Sequence, residues 1–386
     1  MRNLKKSTSD SIRFLIVDAN KEIRALIKQM LKSCDYKEFV VADDGREALN
    51  KVLSGEIDMI ISGWQVPTIR GIELLKHVKT NPHYYLTPFV LISNENSMNK
   101  VIYALEEGAD GYLFIPFTEA DFIKILNRAL SEKNNPDLYK LKMVQLIRHK
   151  FNKKYPSAIK IGYNLLQQRT NIRVSHLTGE CLYEIKEFDK AGDLVRKALD
   201  DQRSSKLLNL LGKICMASGK TDEAVSYFMA ASSENPENPE GKLALAELYF
   251  KQGDLQKAQA MIDVIKNGNP SVLDLIQIGR LYLTYAPDKA GDVFNHVEPI
   301  GETVDDFISY ANFLGKENRD RESIAILKKC VESMPESITS CYNLGVMYLK
   351  SGNHKKAKAA FQKTIALKPN YGLAEKYLSM IEEKIT

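Results

Sequence analysis

Few residues that ordinarily carry chemistry stand in a pattern that would let them act. Asp18 closes the apolar run Phe14-Leu15-Ile16-Val17, but its neighbour is Ala19, and a lone carboxylate makes a poor magnesium site. Asp43-Asp44-Gly45 precedes a helical pattern and reads as a turn with a helix N-cap. A second apolar run, Met59-Ile60-Ile61-Ser62, ends on Gly63 and enters a loop marked by Pro67 and Gly71. Glycine has no side chain with which to form a covalent intermediate. Five cysteines (Cys34, Cys181, Cys215, Cys330, Cys341) are scattered, without a C-x-x-C pair or a histidine spacing that suggests zinc. No nucleophile–base pair and no phosphate-binding glycine loop is recognisable, so the chain is not read as an enzyme.

The elements that would position these residues fall into two halves. Residues 12–131 alternate apolar strands at 12–18, 38–42, 57–61, 88–92 and 111–114 with helical patterns near 20–33, 45–54, 70–79, 97–108 and 118–131. Continuous apolar runs suit a sheet covered on both faces, and five β/α units predict a doubly wound parallel five-stranded sheet of flavodoxin-like type. Residues 139–386 carry no strand pattern. Their helical pattern repeats at a period of ~34 residues, with mostly small anchors at Leu146, Gly179, Gly212, Ala246, Gly279, Ala311 and Gly345. This predicts an all-α solenoid of about seven repeats plus a capping helix near 373–384. Residues 1–11 are expected to be flexible, and the polar stretch 132–138 is expected to be a short linker.

Hydrophobic content of 44% and charge content of 27% are ordinary for a globular protein. No run of ~18 apolar residues and no secretory apolar region occurs, so membrane insertion is not expected and cytoplasmic residence is. The net charge of +5 is mild and does not imply nucleic acid. It is uneven, however. Lys140 to Thr170 holds eight Lys or Arg and no Asp or Glu, either a solvated helix face or a docking face for an acidic protein.

The first half resembles bacterial response-regulator receiver domains. The resemblance rests on Phe14–Asp18, Ala42-Asp43-Asp44-Gly45-Arg46-Glu47-Ala48-Leu49, Pro67 with Gly71, and Gly108-Ala109-Asp110-Gly111-Tyr112 leading to Pro116-Phe117. It implies that Asp18 keeps an acidic position whose partner has become Ala19. It also places Gly63 where the phosphoacceptor aspartate stands, Ser93 at the hydroxyl position, Ile115 at the lysine, and Tyr112 at the switch aromatic. The losses are mutually consistent, since a lysine aimed at a pocket without its carboxylate would be a costly unpaired cation. The resemblance thus implies a degenerate pseudo-receiver, with no phosphoryl acceptor, metal or cofactor, and a cis peptide before Pro116.

The second half resembles tetratricopeptide (TPR) repeats, most clearly in Leu344-Gly345-Val346-Met347-Tyr348, Gly352, Ala357, Phe361 and Pro369. That resemblance implies a concave protein-binding groove. By register its candidates are His176, Glu180 and Tyr183, then Asn209 and Lys213, then Leu243, Glu247 and Phe250. Ile276, Arg280 and Asn312 follow, and Tyr342, Val346 and Lys350 come last. The expected function is a signalling adaptor or scaffold that binds proteins through this groove and through the receiver surface. The alternative is a phosphorelay regulator using a substitute acceptor, such as Ser62 or Ser93, or a conformational input.

Overall fold

Apolar strands and capped helices alternate as the sequence pattern predicts. The computed structural model describes residues 12–95, 97–268 and 270–385; the stretch expected to be flexible, 1–11, lies outside them. The strands are β1 (Arg13–Val17), β2 (Glu38–Ala42), β3 (Met59–Gly63), β4 (Phe89–Ser93) and β5 (Gly111–Phe114). They pair in parallel in the order β2-β1-β3-β4-β5. Phe14, Ile16, Met59, Ile61, Val90 and Ile92 pack with Ile27 and Leu31 of α1 (Lys21–Ser33) and Phe122, Leu126 and Ala129 of α5 (Glu119–Asn134). The intervening helices are α2 (Gly45–Leu53), α3 (Gly71–Thr80) and α4 (Met98–Glu107).

Caps fix where the helices begin. Asn20 caps α1, Asp44 accepts from the amides of Arg46 and Glu47 at the start of α2, and Thr118 forms a capping box with Asp121 at α5. The Asp43-Asp44 pair is thus bound up in a helix start. The Ile115–Pro116 peptide is cis.

Paired helices build the second half: α6 (Leu138–Phe151) with α7 (Tyr155–Gln168), α8 (Ile172–Glu184) with α9 (Phe188–Asp201), and α10 (Ser205–Ala217) with α11 (Thr221–Glu234). Next come α12 (Glu240–Lys251), then α13 (Leu255–Asn267), and then α14 (Val272–Tyr285) with α15 (Gly291–Phe294). Last come α16 (Val304–Lys316) with α17 (Asp320–Ser333), α18 (Ile338–Lys350) with α19 (His354–Leu367), and the terminal α20 (Gly372–Ile385). The small anchors have a steric cause. A Cβ built on Gly212 would lie 2.6 Å from the Phe228 ring, and one on Gly345 would lie 2.7 Å from Phe361.

Two features depart from the sequence expectation. Helix α5 runs on to Asn134, so only residues 135–137 separate it from α6, whose start Asp137 caps. Helix α15 is a single turn after a 3-10 turn at Pro287–Lys289, although Phe294 still packs beneath Gly279. The chain divides into two compact units, Met1–Leu248 and Tyr249–Thr386. The sheet domain and the first helix pairs belong to one unit.

Replacing Gly345 by Val should lower stability by ~1–3 kcal/mol, because the Phe361 ring must shift to admit the side chain. A reduced urea midpoint is the expected readout.

Candidate functional site

The carboxyl ends of β1, β3 and β4 meet at Asp18, Gly63 and Ser93. Asp18 is 8% exposed, and its Oδ1 accepts from the Asn20 amide at 2.8 Å. The Arg24 guanidinium donates to the carbonyls of Asp18 and Ala19. Burial pushes the Asp18 carboxyl above its ordinary value, while the Asn20 amide and Arg24 oppose the shift. The decisive contact is with Gly63: a Cβ placed there would stand 2.4 Å from Asp18 Oδ2. The Asp18 carboxylate therefore fills the space into which a side chain at 63 would project.

The hydroxyls beside this point are sequestered. Ser62 is fully buried and donates to the Gly63 carbonyl at 3.0 Å, while Ser93 is 5% exposed and accepts from the Glu95 amide. Ile115 packs against the sheet core. Tyr112 lies against Phe114 and Trp64, with ring centroids 5.1 and 6.1 Å apart. Among the described residues, no group of three or more His, Cys, Asp or Glu is placed to hold a metal ion.

A second constellation, which sequence reasoning missed, lies where α3 and α4 face α8 and α10. Glu107, in the last turn of α4, is 5% exposed. Lys206 Nζ donates to its Oε2 at 2.8 Å, and Lys76 Nζ stands 3.6 Å from Oε1. Burial alone would raise the Glu107 carboxyl, but Lys206 and Lys76 outweigh it and hold the group at about 2. Arg173 donates to the Glu107 carbonyl at 2.6 Å and to the Lys79 carbonyl at 2.8 Å.

Lys79 is 3% exposed and donates to the carbonyls of Tyr85 and Thr87 and to Asp110. The loop so fixed presents Tyr85 to Met143, Leu146, Ile147, Leu165, Val174 and Leu177 of the first helix pairs. Further along, Lys100 lies over the Trp64 ring, 5.5 Å from its centroid, and 3.8 Å from Glu237.

Most of the residues expected to line an open groove are covered or paired within the chain. His176 pairs with Glu180 at 3.4 Å, and Glu180 with Lys150 at 3.0 Å. Asn209 is 1% exposed and donates to Glu240, which also accepts from Lys213. The Tyr183 ring packs on Phe188. Phe250 is buried and stacks on Tyr285 at 5.4 Å, and Ile276 is 1% exposed. Arg280 donates twice to Asp306, at 2.6 and 2.9 Å. Lys350 reaches Asp320 and the Gly315 carbonyl, and Tyr342 packs on Tyr371 and Tyr377 beside the terminal helix. These side chains tie the array together because a register argument identifies a helix face without saying what covers it. Leu243, Glu247 and Val346 are half-buried, and Asn312 is exposed. A usable signal was present, since Arg173, Lys206 and Glu240 recur one repeat apart as a charged stripe.

The comparisons agree with this division. Residues 14–127 match the family model described as the response regulator receiver domain. Residues 216–277 and 338–371 match models described as tetratricopeptide repeat, and 152–231 match one described as anaphase-promoting complex, cyclosome, subunit 3. The chain is 30% identical over 118 residues to chemotaxis protein CheY-3 of Vibrio cholerae, covering 31% of this chain and 91% of that protein. It is 32% identical over 107 residues to chemotaxis protein CheY of Pseudomonas aeruginosa, covering 28% and 86%. The structure of chemotaxis response regulator CheY4 of Vibrio cholerae is 34% identical, with a TM-score of 0.29, covering 31% of this chain and 98% of that one. Among the described residues no helix is long and apolar enough to cross a membrane.

Two outcomes are expected. Gly63→Asp should destabilise the protein by ~1–3 kcal/mol, since two carboxylates would compete for one buried space. Adding Asp18→Ala should restore much of that loss in a thermal melt. Stability should also fall on acidification in two windows. His176 is held at about 4, chiefly by burial with Glu180 opposing, against an ordinary value of 6.5. The unfolded chain binds this proton more readily, so roughly 3 kcal/mol at most is lost as pH drops from 6.5 towards 4. Glu107 and Glu240, both held at about 2, lose their contributions only between 4.5 and 2. His176→Gln should flatten the upper window in pH-dependent urea titrations and leave the lower one intact.

Proposed function

Because the chain belongs to the response-regulator receiver family through residues 14–127 and carries tetratricopeptide repeats after them, we propose that it is a non-enzymatic signalling adaptor. In this reading it binds proteins through its repeats and through the exposed receiver surface, in the cytoplasm, without nucleic acid, membrane insertion or cofactor. Assembly does not depend on phosphorylation of the receiver. The observation that carries the reading is the Asp18 carboxylate seated over Gly63. A phosphoryl group needs a nucleophilic oxygen and countercharge at that point. Here the Asp18 carboxylate is buried and hydrogen-bonded, Ile115 supplies no cation, and Ser62 and Ser93 are sequestered.

Support for protein binding comes from the repeat architecture itself, because stacked helix pairs generate extended surfaces that recognise peptides and helices. The Arg280–Asp306 and Lys350–Asp320 pairs reassign two cations expected to meet a partner. Their reversal would act first on the stability of the array. Intact mass spectrometry of the full chain after incubation with acetyl phosphate and magnesium should reveal no phosphoryl adduct. Affinity capture with wild-type and acetyl-phosphate-treated chain should recover the same partner proteins. A stoichiometric adduct that changes the captured set would replace this reading with a phosphorelay regulator using a substitute acceptor.

A further inference from the structure

We infer that the face of α8 and α10 around Arg173 and Lys206 is a recognition site for the C-terminal end of an acidic helix. In this structure the chain's own α4 fills it, and a partner carrying the same helix-end chemistry competes for it. The inference rests on the protein-binding reading above and names the partner chemistry for one face of the repeats.

The contacts read three features of a helix end. The last carbonyls of a helix lack intrahelical donors and carry the negative end of its dipole. Arg173 satisfies this at two helices at once, donating to Glu107 O of α4 and to Lys79 O of α3. Lys206 then takes the carboxylate of the final helical residue, Glu107. The residue after it is Gly108, at φ +94, a left-handed cap that favours glycine. A Cβ on Gly108 would fall 1.5 Å from Arg173 Nη1, so the guanidinium would have to move from this position to admit one. The site therefore favours a helix that ends in Glu followed by a left-handed glycine cap. Glu106 adds a second buried carboxyl beside the N-terminus of α10; burial pushes it above its ordinary value, while Ser204 and Lys206 oppose the shift.

This docking is the kind that can be exchanged. Its α4 contacts are charged and polar groups that must be desolvated to pair, so their net contribution is small compared with the loss when one partner is removed. Tethering compensates, because a helix on the same chain is presented at an effective concentration near the millimolar range. An outside helix succeeds only when it binds more tightly or brings a second contact elsewhere on the array.

The test uses the full chain and a labelled synthetic peptide of residues 97–110, which spans α4 and Gly108. Fluorescence anisotropy should report weak binding to wild type and binding at least ~10-fold tighter to the Glu107→Gln chain, whose resident helix is held less firmly. Adding Arg173→Glu and Lys206→Glu to that chain should abolish binding, as should a peptide with Glu106→Gln and Glu107→Gln. Should the variants lose their native circular dichroism, hydrogen exchange on the wild-type chain decides instead: excess peptide should accelerate exchange in α4 and leave β1 and β3 unchanged. Equal binding to wild type and Glu107→Gln, binding that survives the Arg173 and Lys206 reversals, or no binding to any chain overturns the inference. If the peptide fails while the full chain still captures protein partners, the helix-end site alone falls and the adaptor reading stands.

Discussion

A buried carboxylate needs compensation from every side, and Glu107 obtains it from both halves of its compact unit. Lys76 comes from the sheet domain, while Lys206 and the Arg173 guanidinium come from the repeats. Neither half alone supplies the set. Breaking a buried pair from one side leaves an uncompensated charge, so the same group that resists separation also fixes how α4 meets α8 and α10. The short connection of residues 135–137 and the seating of Tyr85 against the first repeats act in the same direction. That is why the compact unit runs to Leu248 and does not end at the polar stretch after α5.

The strand-end pocket and this contact are physically continuous. Gly63 leads directly to Trp64, whose ring lies 6.2 Å from Tyr103 and 6.1 Å from Tyr112, beneath Lys100. Tyr103 accepts a hydrogen bond from Lys76, which neighbours Glu107. A buried aromatic cluster of this kind moves as a packed group, because interiors have little free volume for independent shifts. With Asp18 seated over Gly63, the strand-end pocket is packed on the side that leads to Trp64.

How much was legible follows from what kind of signal each feature leaves. The apolar runs of β1, β3 and β4 and the Gly/Phe pairs at Gly212–Phe228 and Gly345–Phe361 are local or periodic, so sheet and repeats can be read directly. Asp44 as a cap and Asp18 as a lone carboxylate were equally local. Coverage is not local. Nothing in the spacing of Asn209, Phe250 or Ile276 tells whether solvent, a partner or the chain itself lies over them, and here the chain does. The long α5 was obscured by the polar residues Ser131-Glu132-Lys133-Asn134, which look like a linker yet are good surface residues for a final helical turn. The shortened α15 was visible in Pro287 and Gly291, but the repeat period masked their effect.

Charge placement explains why the repeats' own cations make poor guides to a binding surface. In unpaired form, Arg280 and Lys350 would look like anchors for an acidic ligand. Arg280 instead grips Asp306 from the following helix pair through Nε and Nη2, and Lys350 reaches back to the Gly315 carbonyl and Asp320. Such cross-repeat ties are useful in an array where each repeat contacts only its neighbours, because they set the step from one pair to the next. For a cation committed to that role, a ligand carboxylate would have to compete with an intramolecular partner held at high effective concentration. Arg173 and Lys206 differ in one respect. Their partners, the Glu107 carbonyl and carboxylate, belong to another fold, so exchanging them alters how the sheet domain is held while the helix pairs keep their own packing.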